Sequence, residues 1–559
     1  MKRRISLTVS IVAIVNYLVA SGNYLVAADI TALWAAKARF GPDVKGALTI
    51  DGERAEIAGR SAVVARKGDT LTFDMPDAGA FRGRLHGDRI AGYWVQPPVD
   101  GMRFATPVTL KKLPGGRWRG VVAPLDDAMT YFIPINASGD AFLRNPERNA
   151  GRFIGIEHAV VEGSTIKFLG SDKALIAQSP FDGNAFSIPI RGATLDFHRA
   201  NAAEEAVFHA RGKNPPKYVY RKPPAEDDGW PVATLDEVGL SREEMSRFIQ
   251  MIIDTPVAAH SVDLHAVLIA RHAKLVLEEY FHGFDRDQLH DTRSASKSLT
   301  SLLIGAAKLR GVHIDASTSV YRTMDPAIDD PQKRAMTLEN LLTMSSGLDC
   351  DDSDEKSPGN EDNMQSQTAQ PDWYRYTLDL KMIRKPGEKA VYCSCQPNLA
   401  GGVLAKTSNR WLPDLIRDWI ATPMQFGRYA IDLQPTGEAY GGGGARFLPR
   451  DFMKLGQVML DNGRWRGKQI VSESWARKSS SPLYDLLGFH YGYLWWDTDY
   501  DYKGRKVRAF FAAGNGGQIV MGFPELDLLI NFWGGNYSDR AGVTPQRVYV
   551  PQFILPAVK

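Results

Sequence analysis

A chain of 559 residues exceeds one ordinary domain, and with 44% hydrophobic and 23% charged residues it has apolar material for more than one core. Its 67 basic and 64 acidic residues leave a formal charge of only +3, so no basic surplus points to a nucleic-acid partner. Three cysteines allow one bridge at most, and the absence of a His-Glu-x-x-His or paired-cysteine zinc pattern argues against a metal hydrolase.

Lys2-Arg3-Arg4 precedes an apolar run from Ile5 to Ala20, and Val26-Ala27-Ala28 places small residues ahead of Asp29. This pattern predicts a signal peptide over residues 1–28 and a periplasmic or secreted protein with no stable membrane insertion after cleavage. An uncleaved anchor is the competing reading, weakened by Asn16, Gly22 and Asn23. No cysteine lies near this end, so a lipid anchor is not indicated, and removal of the segment leaves 64 residues of each sign.

Over residues 29–210, Ala47 to Ile50, Leu71 to Met75, Ala91 to Val95 and Val160 to Phe168 are short strand-like runs between Gly, Asp and Pro turns. They predict an all-β accessory domain, a sandwich or a barrel. Trp94, Trp118 and Phe142 read as core aromatics, with a ligand cup as the second reading. The segment Phe142 to Asn149 reads as a solvated loop, or as a dock against the catalytic cleft. Proline and charge from Asn214 to Gly229 predict a stiff exposed linker over residues 211–232. Ser241-Arg242-Glu243-Glu244 then forms a capping box ahead of Met245, Phe248, Ile249, Ile252 and Ile253, so the last unit, residues 233–559, opens with a helix.

After a hairpin-like pair, Ala266 to Ala270 and Leu275 to Phe281, comes Ser294-Ala295-Ser296-Lys297 at the head of an apolar helix. At helical spacing i and i+3 share a face, so the Lys297 amine reaches the Ser294 hydroxyl. A partly desolvated lysine loses part of its preference for the charged form and accepts the seryl proton, while the helix N-terminus offers N–H groups to an attacked carbonyl oxygen. The same spacing at Ser164 to Lys167 falls in a strand, and at Ser353 to Lys356 in an acidic loop, so the motif alone is weak. That loop, from Cys350 to Trp373, carries Asp351, Asp352, Asp354, Glu355, Glu361 and Asp362 and reads as a solvated insertion or as a lid that disfavours anions. Tyr392 and Ser394 form a Tyr-x-Ser pair before a helix, and a phenol beside an ammonium shuttles protons. Near the end, Phe510 to Ala513 runs through Gly514-Asn515-Gly516-Gly517-Gln518 into Ile519 to Phe523, a bare strand open to close approach by a ligand.

Together, Ser-x-x-Lys, Tyr-x-Ser about a hundred residues on, and the late Gly-rich strand resemble the serine hydrolases related to class C β-lactamases and D-Ala-D-Ala carboxypeptidases (penicillin-binding-protein-like). Leu341 to Leu348, Gly441 to Gly444 with Pro449-Arg450-Asp451, and Tyr491 to Trp496 match as well, and the resemblance spans roughly Glu237 to the C-terminus. It implies an α/β catalytic domain, an antiparallel sheet flanked by helices with an all-helical subdomain. It makes Ser294 the acylated nucleophile, Lys297 its base partner and Tyr392 the second proton handler, with no cofactor and no metal. Ser394 stands where asparagine is usual, and Asn515-Gly516-Gly517 where Lys-Thr-Gly or His-x-Gly is usual. The N–H of Gln518, or of Gly517, completes an oxyanion hole with that of Ser294.

A neutral Asn515 gives up a charge-assisted contact to a substrate carboxylate, so the resemblance favours an esterase or amidase acting on a small-molecule or short-peptide substrate over efficient β-lactam hydrolysis. It also places Cys350 and Cys393 on one cleft and implies their disulfide; Cys350 to Cys395, or three free thiols, are the competing readings. A non-hydrolytic module that binds cell-wall peptides is the alternative function, opposed by the joint presence of Ser294, Lys297 and Tyr392. A Ser-His-Asp triad has no Gly-x-Ser-x-Gly elbow, and downstream of Ser294 only His313 and His490 remain. Oligomeric state is not legible.

Overall fold

The computed structural model describes residues 29–42, 44–98, 102–147, 154–190 and 193–559; the expected signal segment, and Arg148 and Asn149 of the 142–149 loop, lie outside them. The β-rich expectation for the N-terminal region holds, and its strands divide between two cores. An antiparallel meander runs in the order Arg60–Val63, Arg54–Ile57, Gly46–Asp51, Trp118–Val122, Arg103–Lys112, Arg89–Val95, Gly79–His86, Thr70–Met75, Ala65–Lys67. Alternation drives it: in Thr70–Met75 the side chains of Leu71, Phe73 and Met75 turn inward, joining Phe81 and the fully buried Trp94. Arg60–Val63 packs beside Thr70–Met75, so the sheet nearly closes on itself. The second core, around Trp34, Phe168, Phe186 and Phe197, lies between a four-stranded sheet (Asp127–Ile135, Ala32–Phe40, Ala193–Arg199, Ala185–Ile190) and a three-stranded one (His158–Glu162, Thr165–Leu169, Leu175–Pro180).

The C-terminal region is built on an eight-stranded antiparallel sheet in the order Lys274–Tyr280, Leu264–Arg271, Leu528–Gly534, Gln518–Phe523, Arg505–Gly514, Trp496–Tyr502, Phe489–Tyr491, Tyr484–Leu486. Gln518–Phe523 and Leu528–Gly534 are buried along their whole length, as unbroken apolar runs require when both faces are covered. The helix Pro449–Leu460 packs on these two strands, and Arg242–Asp254, capped by Ser241, packs on the C-terminal stretch Pro545–Ile554. A helical cluster (Val320–Met324, Leu338–Leu342, Trp373–Asp379) gathers on the helix Cys395–Ser408, which also meets the helix Lys297–Leu309. No described helix is long and apolar enough to cross a membrane.

The two regions are joined more firmly than a stiff exposed linker alone implies. Tyr429–Leu433 pairs with Arg103–Lys112, with Ile431 opposite Ala105, and through Arg446–Phe447 the ladder continues to His290–Asp291, the strand that leads into Ser294. The proline-rich segment is strapped to the C-terminal region and not free in solvent, because its aromatics find partners there. Tyr218 donates to Glu279 (2.5 Å), Tyr220 to the Val276 carbonyl (2.9 Å), and the buried Trp230 indole to the Arg450 carbonyl (3.0 Å). Arg144, in the segment read as a solvated loop, is buried and donates to Asp263 (2.7 Å) and to the Phe208 carbonyl (2.7 Å).

Candidate active site

The sequence around Ser294 folds as a 3₁₀ turn, Arg293–Ser296, running directly into the helix Lys297–Leu309. Two glycine-rich segments make this turn possible. Thr292 donates through both N–H (3.1 Å) and hydroxyl (2.6 Å) to the Ala445 carbonyl, which holds the Gly441–Ala445 loop against the turn. On the other side, a Cβ on Gly514 would stand 2.3 Å from the Thr292 carbonyl oxygen and 3.0 Å from the Ala295 nitrogen, so only glycine admits the strand end there. Lys297 Nζ donates to Ser294 Oγ at 2.8 Å, with the lysine buried and the serine partly open. The same ammonium lies 5.0 Å from the ring centroid of Tyr392, whose ring stacks on Trp496 at 5.6 Å.

The charge state of Lys297 differs from the sequence expectation. Burial pulls its pKa down, but the charges of Tyr392, Glu361 and Asp352 outweigh burial, and the net direction is upward. The ammonium is therefore the favoured form, because the site supplies anionic neighbours as well as a dry environment. Asp352 is pushed up to about 6 by burial and then by Glu361, against the lowering pull of Lys297 and Ser394. Tyr440 donates to Glu361, and burial together with that carboxylate holds its phenol well above the usual range.

The side chains of Ser394 and Asn515, two of the expected positioning residues, are engaged with protein partners. Ser394 is fully buried, and both its N–H and its hydroxyl donate to Asp352 Oδ2 at 2.7 Å, so its hydroxyl is not presented to a substrate. Asn515 turns toward Ser538, accepting from its N–H (2.5 Å) and donating to its hydroxyl (3.1 Å). The buried Gln518 side chain staples the neighbouring strand, donating to the Gly534 carbonyl (2.6 Å) and accepting from the Gly534 N–H (3.2 Å). The bare stretch is also not a straight strand. Gly516 and Gly517 take φ of +100° and +93°, which turns the chain into a hairpin with Gly514 opposite Gln518.

The acidic loop is neither wholly solvated nor a simple lid. Asp354, Glu355 and Asp362 are exposed, whereas Asp352 and Glu361 turn into the site. Cys350 and Cys393 are joined in a disulfide with Cα atoms 5.8 Å apart, and Cys395 is a buried thiol beside them. The three sulfurs lie within 4.8 Å of one another, the only such group of metal-capable side chains among the described residues, and the disulfide occupies two of them. His490 pairs with Asp485 at the surface. Sequence reasoning missed Asp352, Glu361, Tyr440 and Trp496; the only signal was that the first two stand in a loop bounded by Cys350.

A serine hydroxyl under a buried ammonium at a helix head, with a phenol against the same ammonium, is the constellation of a serine hydrolase. The Beta-lactamase family profile matches residues 249–534, more than half of the chain. The chain therefore belongs to the beta-lactamase family. Among curated proteins it is similar to a 6-aminohexanoate-dimer hydrolase of Paenarthrobacter ureafaciens, 24% identical over 220 residues, a match covering 38% of this chain and 55% of that protein's length. Among solved structures it is similar to a penicillin-binding protein homologue from Caulobacter crescentus (14% identity, TM-score 0.42, 54% of this chain and 94% of that one). A family VIII carboxylesterase is comparably similar (14% identity, TM-score 0.41, 57% and 95%).

Proposed function

We propose that the protein is an exported serine hydrolase that cleaves an ester or amide bond through an acyl-enzyme on Ser294. The observation that carries this reading is the 2.8 Å contact from Lys297 Nζ to Ser294 Oγ, with Tyr392 against the same ammonium. Ser294 Oγ attacks the substrate carbonyl carbon while its proton passes to the Lys297–Tyr392 pair. The pair acts as one unit: ammonium with phenolate and amine with phenol hold the same number of protons, and either form accepts one more. The raised pKa of Lys297 favours the ammonium member, which also lowers the cost of negative charge growing on Ser294 Oγ. The pair then returns the proton to the leaving alcohol or amine, and water releases the acid by the same route in reverse.

Backbone N–H groups of the Ser294 turn and of the strand end at Gly514 are the donors we assign to the oxyanion. An ester or amide substrate is preferred over a β-lactam because Asn515 is uncharged and already engaged with Ser538. Similarity to a 6-aminohexanoate-dimer hydrolase supports a hydrolase of small molecules. The basic, apolar and small-residue pattern of residues 1–28 supports export to the periplasm or outside the cell. A panel of p-nitrophenyl esters, D-amino-acid amides and nitrocefin tests the preference. Ester or amide turnover well ahead of nitrocefin is expected, and nitrocefin turnover as fast as ester turnover would contradict it.

A further inference from the structure

Asp352 has no part in the chemistry just described, yet it is the most heavily bonded carboxylate near Lys297. Oδ2 accepts from both the N–H and the hydroxyl of Ser394 (2.7 Å each), and Oδ1 accepts from the Glu361 N–H (3.0 Å). Its own N–H donates to the Tyr392 carbonyl (2.9 Å). Asp352 therefore bridges three segments: the loop behind Cys350, the helix start at Glu361, and Tyr392-Cys393-Ser394. The disulfide from Cys350 to Cys393 ties the first to the third immediately beside these bonds. Seven acidic residues populate the loop, and a solvated insertion would expose them all; turning Asp352 inward onto two donors of one serine is a built arrangement.

We propose that Asp352 is a positioning residue of the Ser294 centre: by accepting from the N–H and hydroxyl of Ser394 and from the Glu361 N–H while its own N–H donates to the Tyr392 carbonyl, it locks the backbone that holds Tyr392 against Lys297. This inference rests on the reading of Ser294 as the nucleophile. It also accounts for the serine at position 394. A carboxylate needs donors, and Ser394 adds a short hydroxyl donor to the backbone N–H of the same residue.

The titratable and polar groups around Asp352 are Lys297 from its helix, Glu361, Ser394, Tyr440 and the Cys395 thiol, so its ionisation is set among one cation and one competing carboxylate. Burial and Glu361 raise it to about 6. Above that pH the carboxylate is ionised and accepts all three bonds; as pH falls through it, protonation turns an acceptor into a donor among the N–H and hydroxyl donors of Ser394 and Glu361.

The test is the rate of covalent labelling by a fluorophosphonate as a function of pH, in the full chain, for wild type, Asp352→Asn, Asp352→Glu, Ser394→Ala and Ser294→Ala. Wild type is expected to lose rate as pH drops through about 6. Asp352→Asn should label at least tenfold more slowly at neutral pH and lose that acidic limb, with Asp352→Glu partly restoring both. Ser394→Ala keeps the charge but removes its hydroxyl donor, so its limb should move to higher pH, and this variant decides the matter if Asp352→Asn does not fold. Wild-type rate in Asp352→Asn, or an unshifted limb in Ser394→Ala, overturns the inference. Ser294→Ala separates the two readings: a labelled Ser294→Ala protein removes the nucleophile assignment itself, whereas loss of its labelling alongside an unaffected Asp352→Asn leaves that assignment standing and removes only the role of Asp352.

Discussion

Gly514 and Thr292 meet backbone to backbone: a β-carbon on Gly514 would stand 2.3 Å from the Thr292 carbonyl oxygen, closer than any real contact of that kind. The glycine therefore sets how near the sheet comes to the Ser294 turn. Gly514→Ala must push the two apart, at a cost of about 1–3 kcal/mol in stability and, through displaced donors, about a hundredfold in kcat. Denaturant melts and ester kinetics measure both, with KM changing less than kcat.

Tyr392→Phe keeps the ring on Trp496 and removes only the phenol oxygen. The proton then has no route through that oxygen, and kcat should fall about 10²-fold or more with the fold intact. Steady-state kinetics beside a thermal melt checks this; unchanged kcat would remove Tyr392 from the proton path.

Arg144 and Asp263 tie the N-terminal strands to the head of the strand Leu264–Arg271, with both side chains buried. Arg144→Ala leaves a buried carboxylate without its main cation and should cost about 3–5 kcal/mol. Urea unfolding at neutral pH measures the loss.

The same cluster gives an acid-side stability slope. Burial and Arg144 lower His282 to about 3, so between its ordinary value near 6.5 and that pH the unfolded chain binds a proton that the folded chain refuses. Stability from this group is complete above pH 6.5 and drains away as pH falls. Asp352, raised to about 6, acts in the opposite direction, since its folded form holds the proton that the unfolded chain releases. His282→Gln should flatten the acid-side decline, read from denaturant midpoints across that range.

Breaking the Cys350–Cys393 bridge by Cys350→Ser reopens a span of 43 residues in the unfolded chain, worth ~4 kcal/mol in the chain-entropy model. Because Asp352 and Ser394 flank the bridge, activity should decline together with melting temperature, and peptide mapping of the non-reduced wild type should recover Cys350 linked to Cys393.

The Ser294 and Lys297 pairing was legible because it follows from helical periodicity alone: two residues three apart at a helix head share a face wherever the helix lies. The Gly-rich stretch announced close approach, but not which glycine makes it. That depends on the chain reversing at Gly516 and Gly517, which puts Gly514, and not the turn glycines, against Thr292. Asp352 was hidden among six acidic neighbours, since its burial is decided by donors on Ser394, far along the chain. Arg144 was hidden for the same reason: a polar-looking segment became interior because its partner, Asp263, lies 119 residues away. The direction of the Lys297 shift failed from sequence because burial was visible in the apolar helix while the carboxylates of Asp352 and Glu361 were not.

The account stands most directly on covalent capture. Wild-type protein and Ser294→Ala are treated with a fluorophosphonate, digested and mapped by mass spectrometry, with ester hydrolysis followed in parallel. The predicted result is one adduct, on the peptide containing Ser294, absent from Ser294→Ala together with hydrolysis. An adduct on another residue, or ester hydrolysis persisting at the wild-type rate in Ser294→Ala, would contradict it.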